Sequence, residues 1–182
     1  MTIYLIRHAQ SAFNAVYDRT KPDPMIFDAP ITDLGETQAL RAREAVQALD
    51  IEQVIVSPLT RTLQTAHLIF GQRLPVRIDA RVREQLTNSC DVGRTPQELA
   101  REYPHHDFDH LETCWWHDEE KDHRGISVES DAILQARADA YAQFLQESGT
   151  RSTAIVTHGN FIRALTGIQP DNCDILPFDP RK

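Results

Sequence analysis

The sequence predicts an α/β fold, in three α/β/α layers, in which helices cover both faces of a mainly parallel central sheet. Short continuous apolar runs such as Val54-Ile55-Val56 are typical of strands that are buried on both faces. Segments with helical spacing of apolar residues lie between these runs, and this alternation indicates crossover helices. A polar stretch between about residues 84 and 125 interrupts the alternation, and we interpret it as an insert or lid.

The first half of the chain contains predicted strands at 3–6 and 54–56, a possible third strand at 76–78, and helices at about 33–49 and 59–70. Thr32 can cap the first helix, because its hydroxyl can accept a backbone N–H that the first turn leaves free. In the second helix, Leu63, Ala66 and Phe70 recur at helical spacing. Gly71 then marks the end of that helix.

The second half contains a helix start near 95–98, a long helix from about 127 to 147, a strand at 154–157, a short helix from about 160 and an extended piece near 174–176. Thr95-Pro96-Gln97-Glu98 is a capping box with proline at the first helical position. In the long helix, apolar residues recur at helical spacing from Leu134 to Leu145, and Gly149 follows as a stop signal.

Length and composition restrict the class of protein. The chain has 182 residues and a mass of 20.7 kDa, and at ~150 residues per domain this predicts one domain over residues 1–182. The composition, 41% hydrophobic and 25% charged residues, excludes a low-complexity chain and argues against global disorder. The net charge of −8 argues against a nucleic-acid partner, because an acidic chain repels phosphate backbones.

We expect no membrane partner and a cytoplasmic location. No apolar run approaches the ~20 residues that span a bilayer, and the N-terminus lacks the basic region of a signal peptide. The three cysteines are widely spaced and form neither a disulfide framework nor a CxxC metal pair, which indicates a reducing compartment.

Basic and imidazole side chains follow three of the predicted strands. Arg7 and His8 end the first strand, while Arg61 and His158 follow two others. Each of these residues alone is more often a loop, capping or surface residue. Because the carboxyl ends of parallel strands meet at one edge of a sheet, their coincidence predicts a common pocket. On an acidic chain, such a pocket would be a local positive site.

Five segments, in chain order, resemble the signature motifs of the histidine phosphatase superfamily, also called phosphoglycerate-mutase-like. They are the Arg-His segment at 5–14, D-x-P-I-T-x-x-G at 28–35, S-P-L-x-R-x-x-Q-T-A at 57–66, V-R-E at 82–84 and V-T-H-G at 156–159. The resemblance extends over nearly the whole chain, from residue 3 to about residue 166. A lone Arg-His pair would be a weak signal, but five segments in order are specific.

The resemblance implies a phosphatase that acts on a small phosphorylated metabolite through a covalent phosphohistidine, with no metal and no other cofactor. His8 would be the nucleophile that attacks phosphorus. Glu84 would be the general acid that protonates the leaving alcohol. Arg7, Arg61 and His158 would bind the phosphoryl oxygens and stabilise charge as the bond breaks.

The residue types suit these roles. A guanidinium fork binds phosphoryl oxygens in a bidentate manner and keeps its charge. Neighbouring arginines lower the pKa of a histidine, and partial burial raises the pKa of a carboxyl such as Glu84. Asn14 matches a pocket asparagine of the family signature, and we expect it to hydrogen-bond the phosphoryl group.

Two positions depart from the family pattern. Ala9 replaces the usual glycine after Arg-His, and residues 24–27 replace the usual lead-in to the second motif. That lead-in often contacts substrate in mutases, and the chain is short for a mutase. The changed lead-in and the short chain both favour hydrolysis over phosphoglycerate mutase chemistry.

Three other functions remain open. They are a phosphoglycerate mutase, a catalytically silent module that binds phosphorylated partners, and a metal-binding regulatory protein. The last would use the histidines of the polar stretch, which are His105, His106, His110, His117 and His123. Their spacing matches no zinc signature, so we favour a solvated, pH-sensitive lid.

The adjacent Trp115 and Trp116 need cover in an otherwise charged stretch. We favour the interpretation that both anchor the lid. The alternative is that one packs in the core and the other faces the pocket. Cys90 has no accompanying base, and we interpret it as structural.

Overall fold

Strands and helices alternate along the chain in a computed structural model that describes residues 2–148 and 151–181. Over these residues the strands are Ile3–Arg7 (β1), Gln53–Val56 (β2), Val76–Ile78 (β3), Thr153–Thr157 (β4) and Ile175–Phe178 (β5). The α-helices are Ala12–Val16 (α1), Asp33–Val46 (α2), Thr60–Phe70 (α3), Pro96–Glu102 (α4), Asp131–Glu147 (α5) and Gly159–Thr166 (α6). No helix in these two ranges is long and apolar enough to cross a membrane.

The strands form one sheet in the order β3-β2-β4-β1-β5. The pairs β2–β3, β2–β4 and β1–β4 are parallel, and β5 runs antiparallel to β1. The register pairs Arg7 with Thr157 and Val56 with Val156, so β1, β4 and β2 end at the same edge. The predicted mainly parallel sheet is confirmed. The antiparallel direction of β5 was not predicted, because a short extended piece carries no directional signal.

The sheet has a buried apolar core on each face, because successive side chains of a strand point to opposite faces. One core contains Ile6, Val54, Val56 and Val156 from the strands with Ala39, Leu63 and Ile69 from α2 and α3. The other contains Ile3, Leu5, Ile55 and Ile155 with Leu134, Tyr141 and Phe161 from α5 and α6. Helices therefore cover both faces, which confirms the three predicted layers. Burying each large apolar side chain contributes roughly 1.5 to 3 kcal/mol.

The long helix α5 begins later than predicted, after its N-cap Ser130, whose side chain accepts from the Ile133 amide at 3.3 Å. Just before it, the amide of Glu129 donates to the carbonyl of Leu86 at 2.8 Å. This tertiary hydrogen bond keeps the preceding residues extended. The predicted stop signal Gly149 lies outside the described residues.

Two other boundaries differ from the prediction. Helix α2 ends at Val46 rather than Leu49, and the short helix α1 was not predicted. Its capping box pairs Ser11 with Asn14: the Asn14 amide donates to the Ser11 hydroxyl, and the Asn14 side chain accepts from the Ser11 amide. A helix of one turn leaves too little apolar periodicity to detect.

The lid segment (residues 84–125) lies between a 3-10 turn at Ala80–Val82 and α5. It contains α4, whose predicted capping box is present, with the Thr95 amide donating to Glu98 at 2.8 Å. Phe108 and Trp115 of this segment are buried in the core beside α2 and α3. The lid segment is therefore fastened to the body by its own apolar side chains.

Candidate active site

The predicted histidines that follow β1 and β4 lie side by side. The His8 amide donates to the Thr157 carbonyl at 2.9 Å, which continues the parallel register beyond the strands. The ring centroids of His8 and His158 are 5.2 Å apart, and both residues are buried. The common strand edge is the physical reason that these two distant residues meet.

Backbone and arginine contacts orient the His8 ring. Its Nδ1 lies 2.7 Å from the Ala9 carbonyl oxygen, which can only accept, so this nitrogen carries the proton. The other nitrogen, Nε2, therefore has a lone pair, and it accepts from Arg61 Nε at 3.3 Å. Burial, and then the positive charges of Arg61 and Arg7, lower the pKa of His8 well below its ordinary value. The ring is therefore neutral, with the lone pair on Nε2.

Arg61 lies on the first turn of α3 and is bound on several sides. Its Nη1 donates to the Cys90 carbonyl at 2.6 Å, and its Nη2 donates to Asp91 Oδ1 at 2.9 Å. The side chains of Arg61 and Asp91 are only 2% and 4% exposed, so this is a buried ion pair. The guanidinium is thus held in one orientation beside His8.

Arg7 and His158 each have a buried polar atom without a partner within the described chain, Nε of the arginine and Nδ1 of the histidine. Arg7 Nη1 donates to the Pro170 carbonyl at 2.7 Å, and His158 Nε2 lies 2.8 Å from the Ser57 hydroxyl. Buried polar atoms are nearly always hydrogen-bonded, so two unpaired atoms beside His8 indicate a place for a polar ligand. Burial and the charge of Arg61 lower the pKa of His158, which keeps that ring neutral as well.

Glu84 follows the 3-10 turn and points toward the first turn of α6. Its carboxyl oxygens accept from the amides of Gln85 at 2.9 Å and Asn160 at 3.3 Å. Burial, and then the charge of Asp91, raise the pKa of Glu84 to about 7, although Arg61 and the two amides oppose the shift. This carboxyl can therefore both give and take a proton near neutral pH.

An ion pair between Glu129 and Arg137 of α5 holds the backbone that carries Glu84. Arg137 donates to the carbonyls of Arg81 at 2.9 Å and Arg83 at 2.8 Å. It also pairs with Glu129 at 2.8 Å, and Glu129 is fully buried. The segment that carries Glu84 is therefore fixed to helix α5 by hydrogen bonds.

Asn14 uses its side-chain oxygen in the capping box of α1, where it accepts from the Ser11 amide at 3.2 Å. Phosphate is an acceptor and needs donors, which the Asn14 NH₂ group supplies. The capping role and the predicted phosphate contact therefore use different atoms of this side chain.

Three residues at the site were not predicted: Ser57, Thr65 and Asp91. Ser57 directly follows β2, and that position was its available signal. The Thr65 hydroxyl accepts from the Ala9 amide at 3.0 Å and donates to the Arg61 carbonyl. Asp91 has no local signal, because its partner lies on a different element.

Ala9 occupies the position where glycine is usual. It is fully buried, and it is absent from the described non-glycine residues with positive φ. Alanine is therefore compatible with this backbone.

The histidines of the lid segment do not form a shared cluster. Among the residues in the two described ranges, no group of three His, Cys, Asp or Glu side chains is placed to hold a metal ion. His110 instead makes a hydrogen bond of 2.9 Å between its Nε2 and the Ile78 carbonyl. The 106–110 stretch is not helical, so His106 and His110 do not share a helix face.

The two tryptophans differ in burial. Trp115 is buried and donates from Nε1 to the Arg94 carbonyl at 2.8 Å. Trp116 is half-buried, packs edge-to-face on Trp115 at 5.4 Å, and lines a cleft of about 740 Å³ beside β3. Both rings contact the core beside α2 and α3. Cys90 is also buried, and burial raises the pKa of its thiol, so it is not a reactive thiolate.

Comparisons of this chain with known proteins agree with one another. The sequence profile of the histidine phosphatase superfamily (branch 1) matches residues 3–172. A probable phosphatase of Schizosaccharomyces pombe is 28% identical over 97% of this chain and 83% of its own length. Phosphoglycerate mutase-like protein 1 of Arabidopsis thaliana is 30% identical over 88% of this chain and 69% of its own length.

A solved structure shares the fold. The mycobacterial glucosyl-3-phosphoglycerate phosphatase in complex with VO3 superposes with a TM-score of 0.59 at 25% identity. The match covers 91% of this chain and 78% of that protein.

Proposed function

This chain belongs to the histidine phosphatase superfamily, and we propose that it hydrolyses a small phosphomonoester through a covalent phosphohistidine on His8. Relatives named as phosphatases already support a hydrolase or phosphoryl-transfer enzyme. The observation that carries the finer proposal is the state of the His8 ring. Its Nδ1–H donates to the Ala9 carbonyl, and its Nε2 lone pair accepts from Arg61 Nε.

In the first step, His8 Nε2 forms a bond to phosphorus while the ester P–O bond breaks. Arg7 Nε and His158 Nδ1, the buried atoms without partners, donate to the phosphoryl oxygens together with Arg61. Glu84 gives its proton to the departing alkoxide, so the alcohol leaves neutral.

In the second step, water attacks phosphorus on the phosphohistidine. The Glu84 carboxylate takes a proton from this water as the N–P bond breaks. Inorganic phosphate is released, and the His8 ring returns to its free form. A pKa of about 7 suits Glu84 to both directions of proton transfer.

Charge pairing around the lid segment favours hydrolysis over mutase chemistry. A mutase must hold a second anionic group of its bisphosphate intermediate. Arg94 already pairs with Asp28 at 2.7 Å and Glu102 at 2.6 Å. Arg124 likewise pairs with Asp23 at 3.2 Å. These pairings therefore favour hydrolysis. The proposal is a metal-independent phosphomonoesterase, with phosphoglycerate mutase and a silent phosphate-binding module as the alternatives.

The test is hydrolysis of p-nitrophenyl phosphate in excess EDTA by the wild type, by His8→Ala and by the control His123→Ala, which removes an exposed lid histidine. We expect turnover in EDTA, loss on the order of 10³-fold or more in His8→Ala, and no loss in the control. An acid-labile ³²P label should appear on the wild type and not on His8→Ala.

Each other outcome contradicts the proposal in a distinct way. Turnover that EDTA abolishes would indicate a metal enzyme. Turnover that requires a bisphosphate primer would indicate a mutase. Binding of inorganic phosphate with no turnover would indicate the silent module.

A further inference from the structure

We propose that Asp91 is a positioning residue for the reaction of this site: it holds the Arg61 guanidinium against His8 and adds a negative charge to the charged groups that act on Glu84. The inference rests on the proposed function above and extends it to a residue of the lid segment. Asp91 touches the other site groups through Arg61, so it acts indirectly.

Contacts with the protein set the geometry of Arg61. Two of its nitrogens are occupied by the protein, Nη1 by the Cys90 carbonyl and Nη2 by Asp91. These two bonds leave Nε directed at His8 Nε2 at 3.3 Å. An arginine without the Asp91 contact would lose one of the two bonds that set this direction.

Hydrogen bonds hold the Asp91 side chain in place. Its Oδ2 accepts from the amides of Thr87 at 3.2 Å and Asn88 at 3.1 Å, while Oδ1 takes Arg61. Both oxygens of the carboxylate are therefore bound, and the side chain is 4% exposed. A charged hydrogen-bonded pair at this depth is costly to break, because it leaves a buried charge without a partner. The carboxylate thus connects the lid segment to α3 at a defined point.

Nearby charges act on the Glu84 carboxyl. After burial, the charge of Asp91 is the main influence that raises the pKa of Glu84, and the charge of Arg61 lowers it. Asp91 is bound to Arg61 at 2.9 Å, and Arg61 in turn contacts His8. The negative charge of Asp91 therefore favours the protonated form of Glu84 that a general acid needs.

The experiment compares Asp91→Asn with the control Asp23→Asn, using the pH profile of kcat/KM for phenyl phosphate. Asp23 accepts from the Ser89 amide at 2.8 Å and anchors the same 3-10 turn, Ser89–Asp91. For Asp91→Asn we expect the basic limb to move on the order of one unit toward lower pH. We also expect kcat to fall about tenfold, as for the loss of one hydrogen bond to a charged group. For Asp23→Asn we expect lower thermal stability with an unmoved basic limb.

Asp91→Glu separates geometry from charge and keeps the inference testable where Asp91→Asn does not fold. This variant retains the charge on a longer side chain, so the basic limb should stay at the wild-type pH while kcat falls. Equal losses at all pH values in Asp91→Asn and Asp23→Asn, with no movement of the limb, would overturn the inference.

A measurement without turnover distinguishes this inference from the proposed function. A ¹³C NMR titration of the Glu84 carboxyl in the free protein should give a lower pKa in Asp91→Asn than in the wild type. An inactive wild type would refute the proposed function alone. An unchanged Glu84 titration would refute the charge role of Asp91 in an active enzyme or an inactive one.

Discussion

At the scale of single residues, the two arginines beside His8 serve two purposes. As cations, they suit the oxygens of a phosphoryl group. Their charges also lower the pKa of His8, after the larger effect of burial. The ring is therefore neutral at the pH at which phosphate is an anion. Under the proposed function, this one cluster of positive charge would provide both phosphate binding and activation of His8.

Glu84→Gln should reveal its role through the leaving group. Phenoxide needs a proton on departure more than p-nitrophenolate, whose charge is delocalised. We expect kcat/KM for phenyl phosphate to fall on the order of 10² to 10³-fold, with a clearly smaller loss for p-nitrophenyl phosphate. Parallel measurements on both esters check this. Equal losses for the two would contradict a general-acid role.

The stability of the same variant provides the control for correct folding. The folded protein raises the pKa of Glu84 from 4.5 to about 7, so the native state binds this proton more tightly than the unfolded chain. The resulting stabilisation is present below pH 4.5 and is lost as the pH rises toward 7. Glutamine does not titrate, so the Tm of Glu84→Gln relative to the wild type should be higher at pH 8 than at pH 4.5.

At the scale of elements, tight connections between strands and helices hold the site. Helices α3 and α6 begin just beyond β2 and β4, so the residues between them have little freedom. Gly159 allows this close approach, because a Cβ there would lie 2.7 Å from Gln169 Nε2 and 3.4 Å from Arg7 Nε. Gly35 is more restricted, since its Cβ would lie 2.3 Å from the Gln10 carbonyl oxygen. Packing against backbone therefore requires glycine at position 35, whereas at position 159 the nearest atom belongs to a flexible side chain.

The tryptophans of the lid segment should contribute unequally to stability. Trp115 is buried against Gly93, whereas Trp116 is half-buried at the cleft beside β3. Trp115→Ala should lower the free energy of unfolding by about 3 to 5 kcal/mol, the usual cost for a buried tryptophan. Trp116→Ala is the matched control, with an expected loss of about 1 kcal/mol. Urea unfolding measures both, and equal losses would show that the two rings anchor the lid segment alike.

At the scale of the whole molecule, a chain of net charge −8 carries a buried arginine, Arg61, and a half-buried one, Arg7, at one edge of its sheet. Outside this edge, acidic side chains of the lid segment pair with arginines, as Asp122 does with Arg124 at 2.8 Å. Arg94 and Arg124 of the lid segment are thus already paired, while Arg7 and His158 at the sheet edge each retain a buried donor atom without a partner among the described residues.

Zinc should have no effect on the folded molecule. A ligand that binds only the native state raises Tm by mass action. The lid segment offers no such zinc site among its described residues, and His110 instead contacts the Ile78 carbonyl. We expect Tm to change by less than about 1 °C with zinc or with EDTA, as measured by thermal unfolding. A rise of several degrees with zinc would favour the metal-binding alternative instead.

Much of the fold and of the site composition follows from local signals. Apolar runs such as Val54-Ile55-Val56 predict buried strands, and strand ends predict that His8 and His158 meet, because parallel strands share an edge. The family-like motifs name Arg7, Arg61 and Glu84 as candidates before any contact is known. These properties depend on neighbouring residues and on their order, which a sequence contains.

Only the tertiary structure decided how those residues are held. The pairing of Arg61 with Asp91, the tautomer of His8 and the raised pKa of Glu84 each depend on groups from different elements. The same is true of the antiparallel β5 and the unequal burial of the two tryptophans. Burial and the distance between charges are set by packing, and packing brings together residues whose separation along the chain carries no signal of their contact.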